Sequence, residues 1–112
     1  MAYYSIDQYQ LSMWSSRSLT DNPVAALAGV MLYEAGSGRY RGRIYFHPDG
    51  NELIDPTESG GVITLRYNLC QLPSVIDMLR NEKPVYIYYY SVGNAGLKTG
   101  KEPVGEEEGD GR

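Results

Sequence analysis

The stretch that most constrains this chain is residues 72–91, LPSVIDMLRNEKPVYIYYYS. Leu72, Val75, Ile76 and Leu79 recur at helical spacing and form one apolar stripe, with Asp77, Arg80 and Asn81 opposite. Pro73 suits a first helical turn, where its missing N–H costs nothing. Leu72 or Ser74 can serve as the cap, and Asp77 lies three residues beyond Ser74. Asn81 is a candidate left-handed terminator, and Pro84 forbids continuation. So short a helix cannot hold alone in water and must pack on something else. The next residues supply it. In 85–91, Val85, Ile87 and Tyr89 alternate with Tyr86, Tyr88 and Tyr90, the period of a strand with two different faces. A helix that needs a sheet, followed by a strand with one apolar face, specifies an α+β fold.

The remainder supplies further strands. Residues 6–14 alternate, with Tyr9, Leu11 and Met13 on one side and Gln8, Gln10 and Ser12 on the other. Residues 15–23 read as a polar loop ending in Asn-Pro. Residues 24–33 are almost continuously apolar, as in a buried strand or a short helix. Gly29, and Gly36 and Gly38 beyond it, favour a strand feeding a hairpin. Residues 39–47 alternate most cleanly: Tyr40, Gly42, Ile44 and Phe46 against Arg39, Arg41, Arg43 and Tyr45. His47-Pro48-Asp49-Gly50-Asn51 carries turn chemistry, Leu53 and Ile54 suggest a short strand, and 55–61 read as a loop. Residues 62–67 set Ile63, Leu65 and Tyr67 against Val62, Thr64 and Arg66. The expected architecture is a curved, mostly antiparallel sheet of about five strands, or a partly closed barrel made from it, with one helix on one face. That helix is expected between the last two strands. Its core is expected to include Leu27, Val30, Leu32, Ile44, Phe46, Ile63, Leu65, Val75, Ile76, Leu79, Val85, Ile87 and Tyr89. Residues 1–92 then form one domain, and 93–112, rich in Gly, Glu and Lys, a flexible tail.

Composition narrows the function classes. The net charge is −4, and the tail holds three cations against five carboxylates, so removing it leaves no basic domain. That balance disfavours a general binder of nucleic acid or anionic membranes. Cys70 is the sole cysteine and His47 the sole histidine. A disulfide framework and the usual zinc ligand sets are therefore outside its reach. Residues 1–10, MAYYSIDQYQ, lack the basic start and apolar run of a signal peptide, and no segment is long and apolar enough to span a bilayer. A reducing, cytoplasmic location is expected. No cofactor is implied.

Each chemically suggestive residue has a plainer reading. His47 beside a turn reads as a turn residue, because a catalytic histidine needs an oriented partner. Cys70 before the helix reads as a small buried hydrophobe more readily than as a reactive thiol. Asp49, Asn51, Glu52 and Asp55 lack the spacing of a calcium loop, and the glycine pairs lack the lysine of a phosphate loop. No catalytic or metal site follows. Two surface features remain. Eleven of the thirteen aromatics are tyrosines, and the Tyr86, Tyr88 and Tyr90 face has no core role. Tyrosine is suited to partner surfaces because it joins an apolar body to a polar tip. Arg39, Arg41 and Arg43 with Tyr45 form a second face, which beside the tyrosines would suit a single-stranded nucleic acid. The expected function is a non-enzymatic interaction protein that binds a protein partner, or itself as a homodimer, through the tyrosine face. Nucleic-acid binding through Arg39, Arg41, Arg43 and Tyr45 is the alternative.

Two blocks carry a resemblance. VIDMLRNEKPVY (75–86) and TGKEPVGEEE (99–108) resemble a set of small uncharacterised bacterial proteins. Those proteins share a "DLLRNE-PVY" helix-to-strand unit and end in an "EPVGEGE"-like tail. The resemblance covers about a quarter of the chain, and here a glutamate run replaces the tail's second glycine. It implies a recurring small domain and transfers no activity. It also marks EPVGE as a candidate linear motif that docks on the domain or on a partner, against the simpler reading of a solubilising tail.

Overall fold

The computed structural model describes residues 1–15 and 26–101. The strands are β1 (Ala2–Met13), β2 (Ala28–Glu34), β3 (Tyr40–His47), β4 (Thr57–Ser59), β5 (Val62–Asn68), β6 (Val85–Ser91) and β7 (Asn94–Thr99). The helix α1 (Leu72–Asn81) follows β5 after a 3-10 turn over Leu69–Gln71. All seven strands form one sheet in the order β4-β5-β3-β2-β1-β6-β7. Every neighbouring pair is antiparallel except β3 and β5. The fold is thus α+β, with a curled, mostly antiparallel sheet and one helix.

Among the described residues the sheet has seven strands rather than about five. One extra strand is β4, three exposed residues inside the expected 55–61 loop; Leu53 and Ile54 form no strand. The other is β7. Asn94–Thr99, placed in the tail on composition, fold back antiparallel on β6, so α1 precedes the last two strands instead of separating them. The EPVGE string, 102–106, lies outside the described residues. The turn at Pro48–Asn51 forms, with Asn51 donating its N–H to Pro48 O at 3.2 Å. It does not close a hairpin, because the chain crosses over through β4 and returns as β5 parallel to β3.

The core follows the expected alternation. Val30, Leu32, Ile44, Phe46, Ile63 and Ile87 are fully buried, and Val75 brings the helix onto them. Leu72, Ile76, Leu79, Tyr67 and Tyr89 pack around this centre. Each such buried side chain contributes on the order of 1.5–3 kcal/mol of transfer free energy. Ala2, Ile6 and Ala28 join the core from β1 and β2, while Leu27 is only half-buried.

Both ends of the helix differ from the sequence expectation. Its N-cap is Gln71, and neither Leu72 nor Ser74 caps it; the Gln71 Oε1 accepts the Asn68 N–H at 3.1 Å. Asn81 is not left-handed. The helix stops at Glu82, whose backbone is extended (φ −107, ψ 147), two residues before Pro84.

Curling brings the two ends of the sheet together. Gly42 of β3 faces Ile87 of β6, though β2 and β1 lie between their strands. A Cβ on Gly42 would stand 2.5 Å from Ile87 Cδ1. Likewise the Tyr67 hydroxyl of β5 lies 3.8 Å from the Cβ position of Gly96 on β7. Glycine at 42 leaves space for the closer of these approaches.

Candidate functional site

The tyrosine face is built by three strands. On β6, Val85 and Ile87 turn inward, so Tyr86, Tyr88 and Tyr90 turn outward. Register brings others to the same face: Tyr3 of β1 pairs with Tyr88, and Lys98 of β7 pairs with Tyr86. The rings are in contact, Tyr3 with Tyr86 at 5.0 Å and Tyr88 with Tyr90 at 5.5 Å between centroids. The Lys98 ammonium lies 4.9 Å from the Tyr3 centroid and 5.1 Å from that of Tyr88. Gly96 lies opposite Tyr88, which is half-buried. Tyr3 and Tyr90 remain 38% and 44% exposed, and Val92 in the following turn 52%, so the cluster presents apolar area to solvent. Chemically it offers ring faces, hydroxyl tips and one cation held between two rings, an interaction worth about 0.5–1 kcal/mol at an exposed position.

Tyr3 and Lys98 were not among the residues singled out from sequence. Tyr3 was hidden because the first strand reads from residue 6. The signal for it was the alternation Ala2, Tyr4, Ile6 against Tyr3, Ser5. Lys98 was hidden inside a glycine-containing segment whose pairing with β6 is set by the hairpin.

The three arginines do not act together. Arg39 is exposed in the β2–β3 turn, where Glu34 and Arg39 pair through their backbones at 2.8 Å. Arg41 is half-buried and donates its Nε–H to Glu34 Oε1 at 2.8 Å while its guanidinium covers the Tyr4 ring at 4.3 Å. That hydrogen bond, with a second from Ser37, holds the Glu34 carboxyl below the usual glutamate range. Arg43 donates to Thr64 Oγ1 at 2.8 Å across the parallel β3–β5 pair. Only Arg43 stays with Tyr45, 5.7 Å from its centroid. A residue not singled out, Arg66 of β5, lies closer to that ring at 5.0 Å and hydrogen-bonds His47 Nε2 at 3.1 Å. Trp14 completes this second cluster at 6.4 Å from Tyr45. The two faces are not contiguous: β3 and β6 are separated by β2 and β1, about 14 Å along the sheet at three strand spacings.

The remaining candidates are now placed. His47 is buried at the end of β3, with its Nε2 accepting from Arg66. Cys70 is exposed, not a buried hydrophobe; its N–H is donated to Asp49 Oδ1 at 2.8 Å. The Asp49 carboxylate, by hydrogen bonding the thiol, is the main cause that pushes the Cys70 pKa up. Cys70 is therefore less prone to form thiolate than an ordinary cysteine. No helix among the described residues is long and apolar enough to cross a membrane.

Fold and surface together define a small α+β protein whose curled sheet carries a tyrosine-lysine cluster on β1, β6 and β7. No protein-family model matches the chain, and no curated protein or solved structure is significantly similar to it.

Proposed function

We propose that this protein is a non-enzymatic interaction module that binds a protein partner through Tyr3, Tyr86, Tyr88, Tyr90 and Lys98. The observation that supports this reading most is the position of Lys98 between the Tyr3 and Tyr88 rings. Register on the neighbouring strands β1, β6 and β7 concentrates tyrosines there, a residue type enriched in interface hot spots, and adds a single cation. A partner surface that offers a carboxylate or backbone carbonyl to Lys98 and apolar area to the rings matches this chemistry. A photo-crosslinking residue at Tyr90 tests it in cells. The expected result is one discrete adduct that disappears when Lys98→Glu is added. The same ladder of adducts from position 90 and from Thr57, on the opposite end of the sheet, would argue against a dedicated face.

The nucleic-acid reading draws on a narrower base than the arginine alternation suggested. Arg41 is neutralised by Glu34, leaving Arg43, Tyr45 and Arg66 as the local cluster. Fluorescence anisotropy with labelled single strands decides it: no salt-dependent binding at micromolar protein removes this reading.

A further inference from the structure

β1 is paired along only part of its length on each side. β2 runs beside it from Ile6 to Met13, but β6 pairs only with Ala2–Ile6 and departs at Val85, just after Pro84. Residues 8–13 therefore have an edge that no described strand covers. The backbone phase along that edge is fixed. Trp14 donates its N–H to Leu27 O across the β1–β2 pair at 3.0 Å. By antiparallel alternation Ser12 and Gln10 also direct their backbone groups at β2, while Tyr9, Leu11 and Met13 direct theirs outward.

The side chains of the same three residues point to the core face, opposite Leu32, Val30 and Ala28. Those partners are fully buried, yet Leu11 is 41% and Met13 60% exposed. Among the described residues, no strand covers them on the side where β6 has left. Natural edges are usually guarded by lysine, proline or another charge. The segment QYQLSM has none.

We infer that two copies of this chain pair edge to edge through residues 8–13, antiparallel, with Leu11 of each copy opposite Leu11 of the other. A two-fold axis normal to the sheet keeps core face with core face, so partners must share side-chain parity. The register centred on Leu11 sets Tyr9 opposite Met13 of the second copy and Gln10 opposite Ser12. It uses every outward backbone group of Tyr9, Leu11 and Met13, closing about six hydrogen bonds. Centring on Gln10 instead leaves Met13 opposite the bulge between Ile6 and Gln8. Charge is also accommodated, since Asp7 falls opposite Ser15 of the second copy and no like charges meet.

An independent feature fits the same register. A cavity of about 390 Å³ opens beside the free edge, its wall shared between the apolar Tyr9, Leu79 and Pro84 and the polar Asp7, Arg80 and Lys83. Met13 of the second copy arrives opposite Tyr9, on the face where this cavity lies. Its flexible thioether is suited to packing on the apolar part of that wall, Tyr9, Leu79 and Pro84. The symmetry provides two methionines for two cavities.

The test is solution mass by light scattering on the full chain. The wild type is expected at twice its 12.5 kDa. Leu11→Lys and Leu11→Glu are each expected to halve that mass, because each places like charges opposite themselves. Mixing the two variants is expected to restore the dimer, which only a register with Leu11 on Leu11 explains. Met13→Asp, at a position already exposed in the single chain, provides a second disrupting variant should either Leu11 change impair folding. Tyr88→Ala is expected to leave the dimer intact, so failure here and failure of the tyrosine-face reading are distinguishable. A monomeric wild type overturns the inference, as does a dimer that survives both Leu11→Lys and Met13→Asp.

Discussion

Replacing Gly42 tests the curl of the sheet more directly than any other single change. In a flat sheet, β3 and β6 would lie about 14 Å apart, and a methyl at position 42 would meet no residue of β6. In this structure the Cβ position is 2.5 Å from Ile87 Cδ1 and 3.3 Å from Leu32 Cδ1. Ile87 and Leu32 are both fully buried, so both tips must shift within the core to admit it. Overpacking of this kind costs about 1–3 kcal/mol. Removing a strand glycine returns roughly 0.5–1 kcal/mol of that. Gly42→Ala should therefore destabilise by about 1–2 kcal/mol. Ile87→Ala alone opens a cavity and should cost about 3 kcal/mol. In the double variant the new methyl occupies part of that cavity, so the combined loss should fall short of the sum by at least about 1 kcal/mol. Urea unfolding followed by Trp14 fluorescence measures all four corners of the cycle. Additivity within about 0.5 kcal/mol would mean that positions 42 and 87 do not touch, and the curl described here would be wrong.

Three other perturbations read separate parts of the structure. Gly29→Ala places a Cβ 2.6 Å from Trp14 Cη2, so the indole must shift against Tyr45; a changed emission maximum and a loss of about 1 kcal/mol are expected, and an unchanged spectrum contradicts the packing. Glu34 has a lowered carboxyl pKa, so its contribution is present above its unfolded value and lost as pH falls through the folded one. Glu34→Gln should accordingly lower the urea midpoint at neutral pH, and the gap from wild type should close on acidification; a gap independent of pH contradicts the Arg41 pairing. Asp49→Asn should speed alkylation of Cys70 at mildly alkaline pH, because the neighbouring carboxylate is what keeps the thiol protonated. Equal rates in the two proteins would remove Asp49 as the cause.

What the sequence made legible was whatever depends on local period. The α1 stripe, the inward set of β6 and the alternation of β5 and of β3 from Gly42 onward are fixed by side-chain spacing of 3.6 or 2, and Val75, Ile87, Ile44, Phe46, Ile63 and Leu65 are buried accordingly. The irregularity at Leu32/Tyr33, by contrast, sets Tyr40 beside Tyr33 and Met31 instead of with Ile44 and Phe46. The missed strands failed for a physical reason. β4 and β7 have little apolar content because each lies at an edge of the sheet and has one neighbour, so burial wrote almost nothing into them. Asn81 and Ser74 mislead in the same way. A cap residue only permits a helix end, and here Gln71, the extended Glu82 and Pro84 set the ends instead.

The candidate site was half legible for a related reason. Tyr86, Tyr88 and Tyr90 share a face by period alone, whereas their company depends on which strands pair. β1 lies between β2 and β6, so Tyr3 reaches Tyr86 and Arg39, Arg41 and Arg43 do not. The same strand connects the two proposals. β1 carries Tyr3 at the end paired with β6 and the free edge at the other. A two-fold axis normal to the sheet at Leu11 leaves the faces of both copies unexchanged, so both tyrosine clusters emerge on one side of a continuous sheet. Two equivalent sites held on one rigid surface raise avidity for a partner that is itself paired or repeated, without any new contact. Leu11→Lys, which lies outside the tyrosine cluster, should then weaken capture of such a partner far more than capture of a single-site one. Equal loss for both would mean that the edge and the tyrosine face act independently.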